Sequence, residues 1–324
     1  MTHDTTGLRY IFPYSDEEDS EYYADDDLVL DSSTIRLTAC TRAGNAAKLN
    51  EDAFAVVTDG SAIWVGVFDG TTSLRPIAAL GTRTGARFAS HFLKDQFESV
   101  TRIQSLRTAM IGLNAKLLDA NLGISGTLTD THSLPSSTGT IMRLDQGPGQ
   151  IHFAHVGDSY LVVERDDGSY QRLTDDRNNS FDQGMFTLIN QIAAQEGVTP
   201  REARQTDRVK TALIDMFVRR NNNRNGQGSG LLNGVPHASI YVQEGRCALE
   251  GVRVMLLGTD GLTPQGWERD GEPDWERVFE EIKRHGFQGL IAQKLASEDA
   301  DRDWRHTRYK HSDDATGVLI QLTP

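Results

Sequence analysis

Cysteine is nearly absent from this chain. Cys40 and Cys247 are the only two, they fall in separate candidate strands, and no Cys/His cluster accompanies them. That excludes a zinc-stapled fold and fits a reducing, cytoplasmic home in which both thiols act as small hydrophobes. Long apolar runs are missing too. None is long enough to span a bilayer, and no basic-then-apolar opening marks a secretory signal. A basic stripe is lacking, which excludes a nucleic-acid partner. The D-x-D-x-D-G spacing of an EF-hand does not occur. Nor is there a P-loop, since the Gly- and Asn-rich stretch 219–230 has no strand before it and no Lys-Ser/Thr after it.

What is present is a chain of 324 residues, 38 % hydrophobic, which is enough for a packed core. No internal repeat or linker divides it. The net charge is −13, and residues 1–33 hold −9 of it, with ten acids against Arg9 alone. Like charges with few apolar neighbours predict a flexible acidic arm over 1–33, suited to a basic partner or to the protein's own site. From residue 34 a single domain runs to 324.

Short runs rich in Val, Ile and aromatics read as strands at 35–40, 53–58, 62–68, 137–142, 151–156, 160–164, 170–173, 237–242, 252–259 and 315–322. Asp59-Gly60-Ser61 and Asp166-Asp167-Gly168-Ser169 lie between such runs as hairpin turns. Helical spacing of apolar residues appears over 77–97, 103–121, 188–194, 200–219, 275–285 and 290–296. The expected fold class is therefore layered α/β with antiparallel sheets, not an alternating βαβ chain. Residues 175–236 are the least regular, and they read as a mobile flap near the site.

Carboxylates recur at the strand ends. Asn50-Glu51-Asp52 opens one strand, Asp69-Gly70 and Asp260-Gly261 close two others, and Asp313-Asp314 opens the last. An acid at the mouth of a buried strand must be paired or metal-bound. Mg²⁺ and Mn²⁺ take oxygen ligands, and a glycine after an aspartate lets a backbone carbonyl approach the cation. Two such ions sharing a carboxylate activate water and clamp a phosphoryl group. The strand-end acids are expected to converge on that pair.

Taken with Val67-Phe68-Asp69-Gly70, Ser137-Thr138-Gly139-Thr140, His155-Val156-Gly157-Asp158-Ser159, Leu173-Thr174-Asp175-Asp176, Gly258-Thr259-Asp260-Gly261-Leu262 and Asp313-Asp314-Ala315-Thr316, the chain resembles the metal-dependent protein phosphatases of type 2C over about residues 34–322. The resemblance implies two central antiparallel sheets between pairs of helices, in a divergent bacterial-type branch. It implies that Asp69 bridges two Mn²⁺ or Mg²⁺ ions and that the Gly70 carbonyl binds one. Asp260 and Asp313 complete the other, while Glu51 and Asp52 hold metal-bound waters. The implied reaction is direct attack of a bridging hydroxide on phosphoserine or phosphothreonine of a protein substrate.

Three positions depart from the family pattern. The arginine that grips the substrate phosphate is Ala47 here, with Lys48 beside it. The histidine after Asp-Gly is Thr71. The aspartate that helps hold a third metal is Pro264, although its companion Asp158 is retained. Lys48 is the first candidate for the missing grip, followed by Arg42 and Arg75. His152 and His155 read as structural. The alternative function is a weakly active or inactive relative kept as a regulatory or binding module.

Overall fold

The computed structural model describes residues 8–12, 14, 21–30, 33–45, 47–71, 77–125, 131–145, 147, 149–222, 224–269 and 271–322. Two six-stranded antiparallel sheets form its centre. The first has the order β1 (Arg9–Tyr10), β4 (Ala53–Thr58), β5 (Ala62–Thr71), β6 (Ser136–Asp145), β7 (Gln150–Val156), β10 (Gln243–Ala248). The second has the order β2 (Glu21–Leu30), β3 (Ser33–Arg42), β14 (Ala315–Leu322), β11 (Val252–Gly258), β8 (Tyr160–Arg165), β9 (Tyr170–Arg172). A small separate hairpin pairs β12 (Glu268–Arg269) with β13 (Glu272–Pro273).

β5 shows why the sheets sit where they do. Its run of apolar residues is buried on both faces. Ile63, Val65 and Val67 point between the sheets, among Leu37, Met142, Leu161, Leu257 and Ile320. Ala62, Trp64 and Phe68 point outward, onto α1 (Gly85–Asp95) and α2 (Leu106–Ser125). Each such side chain contributes about 1.5–3 kcal/mol relative to exposure, so the layers cannot separate without losing the core. The second sheet buries Val162, Leu256 and Leu319 against α6 (Trp275–Ala300). This helix is interrupted at Gly286, with φ 67° and ψ −178°. The helices expected over 275–285 and 290–296 are thus two helical segments that meet at the non-helical Gly286. The result is a helix–sheet–sheet–helix stack.

The remaining helices, α3 (Asn179–Glu196), α4 (Pro200–Arg204) and α5 (Asp207–Arg220), enclose a core of their own around Met185, Ile189, Ile192, Val209 and Leu213. Residues 175–236 are therefore more ordered than their composition suggests. The single helix expected over 200–219 breaks in two, because Thr199 and Thr206 each cap a new N-terminus through a side-chain oxygen.

The expectation of a flexible arm over 1–33 fails for its described part. β2 pairs with β3 at ten consecutive positions, from Glu21 opposite Arg42 to Leu30 opposite Ser33. Tyr22, Ala24 and Leu28 turn inward to the inter-sheet core, as do Ile11 and Phe12. The acids between them are matched by arginines, with Arg9 to Asp26 at 3.2 Å, Arg42 to Glu21 at 3.5 Å and Arg36 to Asp25 at 3.8 Å. Residues 1–7, 13, 15–20 and 31–32 of the expected arm lie outside the described residues. The strand expected at 237–242 is instead a 3₁₀ turn over Pro236–Tyr241, with β10 starting just after it.

Candidate active site

Every strand-end acid singled out in the sequence lies at one edge of the stack, where the chain passes between sheets. Residues 43–52 carry it from the end of β3 to the start of β4, and Gly157-Asp158-Ser159 carries it from β7 to β8. Asp69 sits near the end of β5, opposite Thr138. Asp260 follows β11, and Asp313-Asp314 precede β14, with Gly258 opposite Gly317 fixing their relation.

A relay of hydroxyls and amides locks the two sheets at this edge. Asn50 Nδ2 donates to Thr41 Oγ1 (2.7 Å), which bonds Thr316 Oγ1 (2.6 Å). Thr316 N donates to Thr259 Oγ1 (3.0 Å), and Thr259 in turn donates to Asp52 Oδ2 (2.7 Å). The Asp314 carboxylate accepts from the backbone N–H of Gly44 and of Glu51, both at 2.7 Å. Arg87, buried on α1, donates to the Asn50 carbonyl at 2.6 Å. Two glycines are sterically required. A Cβ on Gly70 would lie 2.4 Å from the Glu51 carbonyl oxygen, and one on Gly261 would lie 2.0 Å from that of Asp314.

The acids act on one another. Asp52 is fully buried; Glu51, Asp69, Asp158, Asp313 and Asp314 are half-buried; Asp260 forms the exposed rim. Burial, and then Asp52, Asp260, Asp158 and Asp313, push the Asp69 carboxyl well above the usual range. Burial followed by Asp314 and Asp313 does the same to Asp52. Asp260 is exposed as a residue, yet its carboxyl is enclosed by the protein packed about it. That enclosure, then Asp158 and Asp313, push it well above the usual range, while Lys310 and a hydrogen bond shared with Asp69 temper the push. Glu51 and Asp314 are raised as well, by burial first.

Residues 41–298 match the protein phosphatase 2C family. The chain belongs to that family. Among solved structures, this phosphatase 2C chain resembles the serine/threonine phosphatase Stp1 from Staphylococcus aureus at 17 % identity, with 94 % of this chain and 99 % of that one covered and a TM-score of 0.53. It resembles PppA, a regulatory component of the type VI secretion system of Pseudomonas aeruginosa, at 16 % identity, covering 92 % and 100 % with a TM-score of 0.52. RsbX, solved with magnesium, is similar at 13 % identity, covering 93 % and 100 % with a TM-score of 0.51. These likenesses confirm the sandwich architecture. No curated protein sequence matches the chain.

A phosphatase 2C site calls for hard divalent cations, and the donor set suits them. All its side-chain donors are oxygens, and they repel one another, as expected of a site that completes itself with added positive charge. As the side chains stand, no three acidic, imidazole or thiol groups among the described residues are arranged around one point to hold an ion. Asp69 is turned onto Asp260, and Asp313 onto the ammonium of Lys310.

Lys48 is exposed on the loop before Asn50, and Arg42 is paired with Glu21. Arg75 lies outside the described residues. Lys310 is the base acting on Glu51, Asp52, Asp260 and Asp314, and sequence reasoning missed it. Its only signal was a position three residues before Asp313. Asp158 accepts from Thr138 Oγ1 at 3.0 Å and from Asn178 Nδ2, while Pro264 is buried. His155 is structural. Its Nδ1 meets Thr140 Oγ1 at 2.9 Å, and its Nε2 reaches the carbonyls of Gly157 and Asp175, each at 3.0 Å. His152 faces Asp145 near the opposite end of β7.

Proposed function

We propose that this chain is a metal-dependent serine/threonine protein phosphatase that hydrolyses phosphoserine and phosphothreonine without a phosphoenzyme. The observation that carries the reading is the meeting of Asp52, Asp69, Asp158, Asp260 and Asp313 at one open edge, close enough that Asp52, Asp158, Asp260 and Asp313 all bear on Asp69, and Asp158 and Asp313 on Asp260. In this reading Asp69, the Gly70 carbonyl, Asp260 and Asp313 hold two Mn²⁺ or Mg²⁺ ions, with Glu51 and Asp52 contributing through water. The ions, when bound, supply activation of water and neutralisation of phosphoryl charge.

The protein's own part is to hold the acids in place before the ions arrive. Thr259 orients Asp52, and Asp314 ties the Glu51 backbone to the start of β14. Glu51 O accepts from Gly70 N at 3.1 Å, which fixes the two acidic loops of the first sheet to each other.

Phosphate release from a phosphopeptide, measured with and without Mn²⁺ and against Asp69→Asn, tests the reading. Turnover no greater than that of the variant, with metal demonstrably bound, would end it. The second reading is a weakly active relative serving as a regulatory module. It draws support from Ala47 and Thr71, and from Lys310 standing against Asp313.

A further inference from the structure

A phosphate ester brings negative charge to an edge already crowded with carboxylates, and a basic side chain that grips it adds to the neutralisation that bound ions supply. Residue 47, where the family arginine would stand, is an alanine, and Lys48 is exposed on the outer loop. We propose that Lys310 is the phosphate-gripping residue of this site, its ammonium binding a non-reacting phosphoryl oxygen of the substrate. The proposal rests on the phosphatase reading and adds to it the group that recognises the substrate anion.

Lys310 Nζ pairs with Asp313 and lies close enough to Asp69 and Asp314 to feel both charges. Its side chain is nevertheless 44 % exposed, so an anion at the site edge can reach it.

The neighbouring residues show that this placement is built. Arg308 donates to Asp301 Oδ2 at 2.8 Å and to the carbonyls of Glu298 and Asp301 at 3.1 and 2.9 Å. Tyr309 donates to Asp182 Oδ1 at 2.8 Å and packs its ring 5.0 Å from that of Phe186 on α3. On the other side, Lys294 is buried on α6 and paired with Glu298 at 2.9 Å. It donates to Ser312 Oγ at 2.8 Å and to the Asp313 carbonyl at 2.9 Å. His311 turns away to Asp299. Residues 308, 309, 312 and 313 are thus fastened to two helices, and between them Lys310 is the side chain aimed at the carboxylates. A four-carbon stem allows its ammonium to move from Asp313 to a phosphoryl oxygen without moving the loop.

The test is the affinity of the Mn²⁺-loaded full-length protein for orthophosphate, measured by calorimetry for wild type, Lys310→Ala, Lys310→Met and Lys310→Arg. Thermal unfolding of each variant confirms that it folds. Alanine and methionine are expected to weaken phosphate binding about tenfold, as loss of a charge-assisted contact should, and arginine to restore most of it. KM for a phosphopeptide should rise by a similar factor, with kcat changed less than about threefold. Unchanged phosphate affinity in Lys310→Ala would overturn the proposal. So would tighter Mn²⁺ binding with no loss of phosphate affinity, since Lys310 would then merely fill a cation's place. Wild-type turnover no greater than that of Asp69→Asn, alongside weaker phosphate binding in Lys310→Ala, would remove the phosphatase reading and leave the anion grip standing.

Discussion

Two acidic regions of this molecule make opposite use of the same residue types. On β2, Glu21 and Asp25 are exposed, Asp26 is half-buried, and each faces an arginine across a surface ion pair. At the site edge the acids face one another, enclosed to differing degrees, and one lysine serves several of them. Both regions are rich in acids, and at the site edge burial and neighbouring carboxylates push Asp52, Asp69 and Asp260 well above the usual range. Burial and the balance of counter-charge mark a site, and abundance of aspartate does not.

The sharpest way to break that comparison is to neutralise one acid from each region. Asp69→Asn should lower phosphopeptide turnover by about 10³-fold, the scale of losing a preorganised electrostatic contact. The same variant without metal should be more stable than wild type by about 1–2 kcal/mol in urea unfolding, because a repelling charge is gone. A less stable Asp69→Asn would mean the cluster is not under stress.

Burial should act on a base in the same way. Enclosure holds His155 down to about 4, against an ordinary value of 6.5. Between those values the unfolded chain takes up a proton that the fold refuses. Its contribution is therefore complete above about pH 6.5 and is lost as pH falls towards 4, by about 3 kcal/mol in all. Asp176 and Asp182, both raised to about 6 by burial, slope the other way. The comparison with His155→Gln isolates the histidine, and equal pH slopes in the two proteins would refute its role.

Mn²⁺ at a hundredfold excess over its dissociation constant should stabilise wild type by about 2.7 kcal/mol and Asp69→Asn by much less. Asp25→Asn on β2 should alter neither that increment nor turnover, and should change stability by less than about 0.5 kcal/mol. A large effect there would erase the distinction between the two regions.

The strands of the site were legible because their burial is written into composition. The run Ile63 to Phe68 is apolar on both faces, and Asp59-Gly60 turns as expected, with Gly60 at φ 87°. The carboxylate edge followed, since acids at strand ends in an antiparallel stack have few places to go. β2 was hidden because Asp26 interrupts the alternation that Tyr22, Ala24 and Leu28 preserve, and because its matching arginines lie on other strands. Lys310 was hidden for a related reason. What brings it to Asp69 is a loop anchored to α3 and α6, and no spacing along the chain records those anchors.

β2 also forms one margin of its sheet, with β3 as its only neighbour there among the described residues. A ten-residue strand at a sheet margin is the kind of template onto which a second molecule could zip. Two copies approaching antiparallel along it would bring Asp25, Asp26 and Asp27 up against the same triplet. Repulsion between those triplets would oppose such a pairing.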